Sequence, residues 1–465
     1  MASLLKLFRS GTAAASRAMS TKPMKKEKDG MVLFRRLAAL GLRNSDGKVA
    51  NALDEWAREG HEIRRPQVTS FASELRRFNK PHIALQLYQW IEENKRTLKI
   101  SDYALRIDLL FKTEGIASAE KYFNDLDESA KNKRTYGALL HCYCQGKMLE
   151  EATQLFQKMA ELNIHATALN YNNMMALYMK IGRPEKVPLL FQEMKARDIA
   201  PDLYSYNLLM NSYAAFKDIN AVEAVLQRMD SKRIRNDWFT LGNLATIYFN
   251  AGLKDKAKAA LEELERQTLP KRPEAFHTLI RLYSCLSDAA GVCRAWELCK
   301  SKFATPSNIS YLIMHLALSR LGDHDGLEKL FKEWDSSCSF YDSRIPNVLL
   351  ESYLKRGMIE EASLLYESVT RRGADLSLRT HNSYMNLCLK KHQSDLALQT
   401  LEAGVCEIIP QSHSWFPPQE SVNAFLRYFI EEKDAVAAGK FREILKKINR
   451  LDAETEKILD EICPP

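Results

Sequence analysis

The chain repeats its pattern of apolar positions every 35 residues over most of its length. Tyrosines mark this period in five successive units, at Tyr143, Tyr178, Tyr213, Tyr248 and Tyr283. When units are numbered from residues 133, 168 and 203, apolar side chains fill places 4, 7, 8 and 11, and then places 17, 20, 23, 24 and 27. Both sets follow the i, i+3, i+4, i+7 spacing of an amphipathic helix. Each unit is therefore predicted to be a hairpin of two helices.

The turn between the two predicted helices carries a glycine in several units, as at Gly182, Gly252, Gly322 and Gly357. A single hairpin cannot cover its own apolar side, so neighbouring hairpins have to stack into a continuous core. The length of 465 residues suggests about three domains. The repeat predicts instead one all-α solenoid of about eleven stacked helix-turn-helix units.

The frame extends beyond the central units in both directions. Units starting at 238, 273, 308, 343 and 378 keep it, and Ala84 and Ala119 place two further units at 65 and 100. We expect the solenoid to cover residues 65–452. A helical cap at 31–64 is expected before it and a tail at 453–465 after it.

The last unit of the frame is expected to start at Pro418, which brings Tyr428, Ala437 and Phe441 into register. The unit before it is then stretched to 40 residues. We expect an insertion near 405–417 to hold the extra length, as a loop or a local break in the stack.

Residues 1–30 differ from the rest in composition. They combine seven Lys and Arg with serines and small apolar residues, and the first acidic residue is Glu27. An acid-free, Ser-rich and Arg-bearing amphipathic start is typical of a transit peptide. We expect a mitochondrial transit peptide with a basic linker and a protein of the matrix, with the chloroplast as the alternative. The segment holds five of the eight net positive charges, so the charge of the remaining chain adds little to the case for a nucleic acid partner.

The three central units resemble the pentatricopeptide repeat family. The matching motifs are 170–172, repeated at 205–207, together with 190–194 and 201–202. The tetratricopeptide repeat, which binds protein segments, prefers small residues at places 8 and 27, where this chain has larger ones such as Met175. The chain looks like the short plant organellar proteins of the P class. This resemblance implies a right-handed superhelical solenoid.

The resemblance also implies that the residues at places 5 and 35 of each unit read one RNA base. Two adjacent units carry the pairs Asn172 with Asp202 and Asn207 with Asp237, to which the family pattern assigns uracil. An Asn amide can donate to and accept from a base edge, and Asp at place 35 can orient that amide.

Other positions extend this expected RNA-binding set. Asn347 with Ser377 would be assigned a pyrimidine, and Asn382 stands at place 5 without a clear partner. At place 2, Leu169 and Tyr204 would pack against base faces. Four further pairs do not match the pattern well: Gly137 with Thr167, Gly242 with Arg272, His277 with Ser307 and Leu312 with Asp342.

The same residues have a structural interpretation. Asp202 and Asp237 stand directly before a predicted helix, where Asp caps free N–H groups for about 1 kcal/mol. Asn172 and Asn207 would then be ordinary polar residues. Basic pairs such as Lys133–Arg134 could likewise contact phosphates or compensate a helix dipole.

No signature of catalysis or metal binding stands out. The sequence shows no P-loop, no dinucleotide glycine motif, no His-Glu-x-x-His and no Gly-x-Ser-x-Gly. Cys142 and Cys144 form the only close cysteine pair, without a second pair at zinc spacing, so both are expected in the core. We expect no catalytic or metal site, no cofactor, no small-molecule substrate and no membrane span.

Three functions fit these patterns. The first is a non-catalytic organellar protein that holds single-stranded RNA, mRNA or rRNA, along the solenoid in mitochondrial RNA metabolism or translation. The second is a structural component of the mitochondrial ribosome that binds rRNA and ribosomal proteins. The third is a protein–protein adaptor of the tetratricopeptide type.

Overall fold

The computed structural model describes residues 27–40, 48–61, 63, 65–94, 100–267, 272–338, 340–372, 378–406 and 417–463. Residues 1–26 of the predicted transit peptide and most of the predicted insertion lie outside these ranges. The chain forms two compact units, Met1–Phe216 and Lys217–Pro465.

Every element in the described ranges is a helix. The helices of the first unit are α1 (Glu27–Ala39), α2 (Lys48–Arg58), α3 (Arg65–Arg77), α4 (Pro81–Glu93), α5 (Ile100–Thr113), α6 (Ile116–Asn124), α7 (Lys133–Gly146), α8 (Leu149–Glu161), α9 (Ala168–Lys180), α10 (Lys186–Ala196) and α11 (Leu203–Ala215). The helices of the second unit are α12 (Ile219–Ser231), α13 (Trp238–Asn250), α14 (Lys254–Arg266), α15 (Pro273–Cys285), α16 (Ala289–Lys302), α17 (Asn308–Leu321), α18 (His324–Ser337), α19 (Arg344–Arg356), α20 (Ile359–Arg371), α21 (Leu378–Lys390), α22 (Ser394–Cys406), α23 (Gln419–Glu432), α24 (Ala435–Lys447) and α25 (Ala453–Ile462).

The predicted helical hairpin is present within each unit. In the hairpin of α9 and α10, Tyr171 and Met175 from the first helix and Phe191 and Met194 from the second are buried. Burial of a side chain of this size stabilises the fold by roughly 1.5–3 kcal/mol. Gly182 lies in the turn with a φ of +78°, a left-handed conformation that glycine adopts without a Cβ penalty.

Aromatic contacts between successive hairpins hold the stack together. The ring at place 24 meets the ring at place 4 of the next unit edge-on, with centroids 5.2 Å apart for Phe156 and Tyr171. Trp296 and Tyr311 repeat this contact at 5.3 Å in the second unit. Such pairs add about 0.5–1.5 kcal/mol beyond their buried area. The periodic aromatic residues are thus core residues, as their apolar places predict.

The register expected for the last hairpin is wrong by one residue. The predicted frame put Tyr428 at place 11, but Tyr428 is half-buried and its neighbour Phe429 is 0% exposed. Left-handed residues recur at place 15, as at Gly182, and Lys433 takes this place only if the unit starts at Gln419. Helix α23 begins at Gln419, after Pro418 at its N-cap. The preceding unit is accordingly one residue longer than expected.

Helices also lie at both ends of the described chain. Helix α25, within the predicted tail, packs against α23 and α24. Arg442 of α24 donates to Asp460 at 2.8 Å and to the Cys463 carbonyl at 2.9 Å. At the other end, α1 packs against α2 and α3. Among the described helices, none is long and apolar enough to cross a membrane.

Candidate functional site

The first predicted reader pair is formed in the structure. The Asn172 Nδ2 amide, on α9, donates to both carboxylate oxygens of Asp202, at 3.0 and 3.2 Å. Asp202 is exposed at the N-cap of α11 and accepts from the Ser205 backbone N–H at 2.8 Å. The place-35 aspartate therefore caps a helix and orients the amide of the preceding hairpin at the same time. Both sequence-based interpretations of Asp202 are compatible with this geometry.

Ser205 closes a ring of hydrogen bonds around this pair. Its Oγ donates to Asn172 Oδ1 at 2.7 Å and accepts from the Asp202 backbone N–H at 3.2 Å. Asn172 is only 2% exposed, and Ser205 is 0% exposed. The amide has two N–H groups and two acceptor lone pairs, so these partners leave one N–H and one lone pair. Asn172 can thus offer only part of its hydrogen-bonding capacity to a base.

The second predicted pair is divided between the two compact units. Asn207 in the first unit is 1% exposed, and its Nδ2 donates to the Leu203 carbonyl of its own helix at 2.8 Å. Asp237 in the second unit caps α13 and accepts from the Thr240 N–H and Oγ1, both at 2.8 Å. The capping function of Asp237 is therefore as predicted.

A third constellation, around His277, shares with the first a buried serine that connects places 5 and 35. His277 Nε2 lies 2.9 Å from Ser310 Oγ, which lies 3.1 Å from Ser307 Oγ at the N-cap of α17. Burial lowers the pKa of His277, so its ring is neutral near pH 7. The sequence pattern did not count this pair as well formed, because His is not the usual residue at place 5.

Three other place-5 residues cannot read a base edge. A Cβ added to Gly137 would lie 3.1 Å from Asn170 Nδ2, and one added to Gly242 would lie 2.8 Å from Thr278 Cγ2. Neighbouring first helices therefore approach closely at these glycines. At Leu312, the partner Asp342 is bound by the Arg344 guanidinium at 2.9 and 2.6 Å, which lowers the pKa of that carboxyl.

The remaining predicted site residues differ in how far they are exposed. Asn347 on α19 is half-buried, and its partner Ser377 lies outside the described residues. Asn382 on α21 is half-buried, with Oδ1 buried and without a hydrogen-bond partner among the described residues. Leu169 is 63% exposed. Tyr204 is half-buried, and burial raises its pKa. Of the two residues predicted to pack on bases, Leu169 has the open apolar surface that this requires and Tyr204 does not.

The sequence interpretation missed a row of cations at place 13, near the end of the first helix in four hairpins. Lys180 Nζ donates to Gln145 Oε1 of the preceding hairpin at 2.8 Å. Arg320 contacts Cys285 in the same way, 35 residues earlier. Lys355 and Lys390 continue the place-13 row and are exposed. The 35-residue period could have revealed this row if polar places had been aligned as well as apolar ones.

Two cysteines lie in the core of the first unit. Cys142 and Cys144 are buried, and burial raises the pKa of each thiol to about 12, which makes both poor nucleophiles. In the part of the chain that the structure describes, no group of three or more His, Cys, Asp or Glu could hold a metal ion.

The fold and the paired residues define a helical-repeat protein with polar side chains set at a fixed place in successive hairpins. A model described as "PPR repeat family" matches residues 166–215, and one described as "PPR repeat" matches residues 134–164, 204–234 and 345–373. These matches include the Asn172–Asp202 pair.

Full-length relatives agree with these matches. The mitochondrial pentatricopeptide repeat-containing protein At4g01990 of Arabidopsis thaliana is 38% identical over 451 residues, covering 97% of this chain and 88% of its own. The large ribosomal subunit protein mL101 (rPPR4) of the same plant is 40% identical over 415 residues, covering 89% and 84%. The chain belongs to the pentatricopeptide repeat family.

Solved structures show the same solenoid fold. The crystal structure of the pentatricopeptide repeat protein PPR10 from maize superposes with a TM-score of 0.61 at 14% identity, covering 92% of this chain and 64% of that one. PPR10 in complex with an 18-nt psaJ RNA element gives a TM-score of 0.54 at 15% identity, covering 93% and 61%. This chain thus spans less than two thirds of the maize protein's length.

Proposed function

We propose that this chain binds single-stranded RNA through the side chains at places 5 and 35 of its hairpins, without catalysing a reaction. The observation that carries the proposal is the Asn172–Asp202 pair, in which a carboxylate from the next hairpin orients an amide. The maize relative of the same fold is named as a complex with RNA, which supports this assignment.

Hydrogen bonding and charge would have separate roles in such binding. An oriented amide can discriminate between base edges, whereas the place-13 cations can contact any phosphate. Few hairpins carry a formed reader pair, so we infer modest sequence discrimination together with contacts that do not depend on sequence.

We place this function in the mitochondrion. The acid-free, basic start of the sequence is typical of a mitochondrial transit peptide. Several relatives, among them At4g01990 and At1g02370 of Arabidopsis thaliana, are named as mitochondrial proteins. The matrix is the compartment in which such a protein would meet organellar RNA.

A second candidate function is a structural role in the mitochondrial ribosome, with rRNA and ribosomal proteins as partners. One observation favours it: the relative at 40% identity is named as a large ribosomal subunit protein. The small number of formed reader pairs fits this role, because rRNA held in a fixed assembly needs little sequence discrimination.

Crosslinking with RNA sequencing in isolated mitochondria, combined with gradient sedimentation, tests the proposal. RNA binding predicts short crosslinked footprints that change when Asn172 and Asn207 are both replaced by Ala. A matched control replaces Gln154 and Gln157, two exposed amides on the second helix α8, and should leave the footprints unchanged.

The same experiment separates the two candidate functions. Footprints on transcripts, away from ribosomal fractions, favour the first candidate. Sedimentation with the large ribosomal subunit and crosslinks to rRNA favour the second. The absence of any RNA crosslink would contradict both.

A further inference from the structure

From the unit at 133 onwards, the residue at place 3 varies with the residue at place 5 of the preceding hairpin. Where place 5 is polar, the next place 3 is a hydroxyl: Asn172 with Ser205 and His277 with Ser310. Where place 5 is Gly or Leu, the next place 3 carries no hydroxyl, although in the earlier unit at 100 Ala104 precedes Thr135. Leu312 precedes Ile345, Gly242 precedes Ala275, and Gly137 precedes Asn170, which comes within 3.1 Å of the position of the missing Cβ.

The contacts explain this correspondence. Ser205 Oγ lies 2.7 Å from Asn172 Oδ1, and Ser310 Oγ lies 2.9 Å from His277 Nε2. Both serines are buried and stand at the third residue of their helix, where Ser205 Oγ also accepts from the Asp202 backbone N–H and Ser310 Oγ lies 3.1 Å from Ser307 Oγ. One hydroxyl therefore connects the two residues that the proposed function assigns to base reading.

The hydrogen-bond directions around Ser205 are consistent as a closed ring. The Asp202 N–H donates to Ser205 Oγ, the Ser205 hydroxyl donates to Asn172 Oδ1, and Asn172 Nδ2 donates back to the Asp202 carboxylate. Asp202 alone would hold the amide at one end and allow it to swing. Ser205 holds the oxygen end, so the amide presents a fixed donor and a fixed acceptor position.

We propose that Ser205 and Ser310 are positioning residues, each of which fixes the orientation of the place-5 side chain in the preceding hairpin and thereby sets its base preference. This inference rests on the proposed RNA-binding function. It adds a third residue to the recognition unit, at a place that helix capping alone would otherwise explain.

The last hairpin has a serine at place 3 and an asparagine at the preceding place 5, but no hydrogen bond to either side-chain oxygen is present among the described residues. Ser421 takes place 3 once the unit is counted from Gln419, and Asn382 takes place 5 before it. Both Ser421 Oγ and Asn382 Oδ1 are buried and lack a hydrogen-bond partner among the described residues. The longer connection between α22 and α23 accompanies this unbonded pair. We therefore expect Asn382 to contribute no base preference.

The test selects RNA from a random pool with the full-length protein and sequences the bound fraction, which gives a base preference at each position. With the wild-type protein, we expect a uridine preference at the Asn172 position. Ser205→Ala should reduce it by about fivefold, the effect of one ordinary hydrogen bond. Ser205→Thr should retain it, because the chain itself uses Thr135 and Thr240 at place 3.

Thr135→Ala is the matched control. Thr135 Oγ1 accepts from the Asn132 N–H at 2.9 Å, so the variant loses an equivalent helix cap, but Ala104 stands at the preceding place 5. Its base preferences should equal those of the wild type. Thermal unfolding of each variant shows that equal amounts of folded protein are compared.

Two further variants show whether Ser205 acts through Asn172 and whether the effect recurs. Asn172→Ala should abolish the same preference, and adding Ser205→Ala to it should change nothing more. Ser310→Ala should reduce the base preference at a different position of the selected RNA. This variant tests the inference even if the Ser205 variant folds poorly.

The outcomes distinguish this inference from the proposed function. If Ser205→Ala and Ser310→Ala keep the wild-type preferences, the positioning function is wrong although RNA binding stands. If Ser205→Ala lowers affinity equally for all sequences, Ser205 is only a helix cap. If the wild-type protein binds no RNA from the pool, the proposed function fails, and the inference fails with it.

Discussion

His315 is a buried titratable side chain on the first helix α17. It occupies place 8 of its unit, where the chain otherwise places apolar residues such as Leu140 and Leu350. His315 is 0% exposed, its Nδ1–H donates to the Tyr311 carbonyl at 2.7 Å, and its Nε2 is buried without a hydrogen-bond partner in the described chain. Burial lowers its pKa to about 4.

His315 should make the stability of the protein depend on pH. The folded-state pKa is lower than the ordinary value of 6.5, so the unfolded chain binds the proton more readily. The stabilisation is complete above pH 6.5 and is lost as the pH falls towards 4, by about 3 kcal/mol at most. His315→Leu should remove this part of the pH dependence. Urea unfolding between about pH 4 and about pH 7.5 measures it, because this range spans the folded and unfolded pKa values.

Other histidines also contribute to the pH dependence, so the measurement has to be a comparison of two proteins. Burial also lowers the pKa values of His141, His277 and His381, so the wild-type curve contains several contributions. The difference between the wild-type protein and His315→Leu isolates one of them. Parallel curves for the two proteins would show that His315 is not held neutral in the folded state.

At the scale of elements, the hairpins were predictable because a long period repeats the same places many times. The turn at Gly182 and the buried Tyr171 and Phe191 are where the period puts them. The register of the last hairpin was not predictable, because Tyr428 and Phe429 are adjacent aromatic residues and periodicity alone cannot choose between them. Burial of Phe429 against Phe441, with ring centroids 5.6 Å apart, decides the register.

Because of close packing inside its hairpin, Gly291 should not tolerate a larger residue without a loss of stability. It lies in α16, and a Cβ added there would come within 2.6 Å of the Tyr283 ring of α15. Because this ring is fully buried and bonded to Glu265 at 2.7 Å, it cannot move aside easily. Gly291→Ala should lower the free energy of unfolding by about 1–3 kcal/mol in urea unfolding.

Gly439 offers the matched control for this substitution. It lies in α24, and the nearest atom to an added Cβ is Cys463 Sγ at 3.7 Å, an ordinary contact. Gly439→Ala should therefore raise the stability by up to about 1 kcal/mol through helix propensity. Equal effects of the two substitutions, of either sign, would contradict the packing seen around Tyr283.

For the whole molecule, the candidate site was predictable only in part. The Asn172–Asp202 pair followed from the resemblance and is formed. The ring through Ser205 was missed because a hydroxyl at the third helical residue is already explained by capping. The cations at place 13 were missed because polar residues vary between units, as at Gln145 and Lys180. Periodicity of apolar residues identifies the core, whereas binding residues follow the same period with far more variation.

The place-13 row leads to a prediction about the salt dependence of RNA binding. Each lysine that contacts a phosphate displaces counterions, so the slope of log K against log salt falls by about 0.7 per lost contact on a single strand. Replacing Lys355 and Lys390 by Gln should reduce the slope by about 1.4 and weaken binding to all sequences alike. Replacing Lys329 and Lys332, exposed on the second helix α18, removes the same charge and should leave the slope nearly unchanged. An equal reduction in both double variants would mean that only net charge matters, and that the first helices make no particular phosphate contacts.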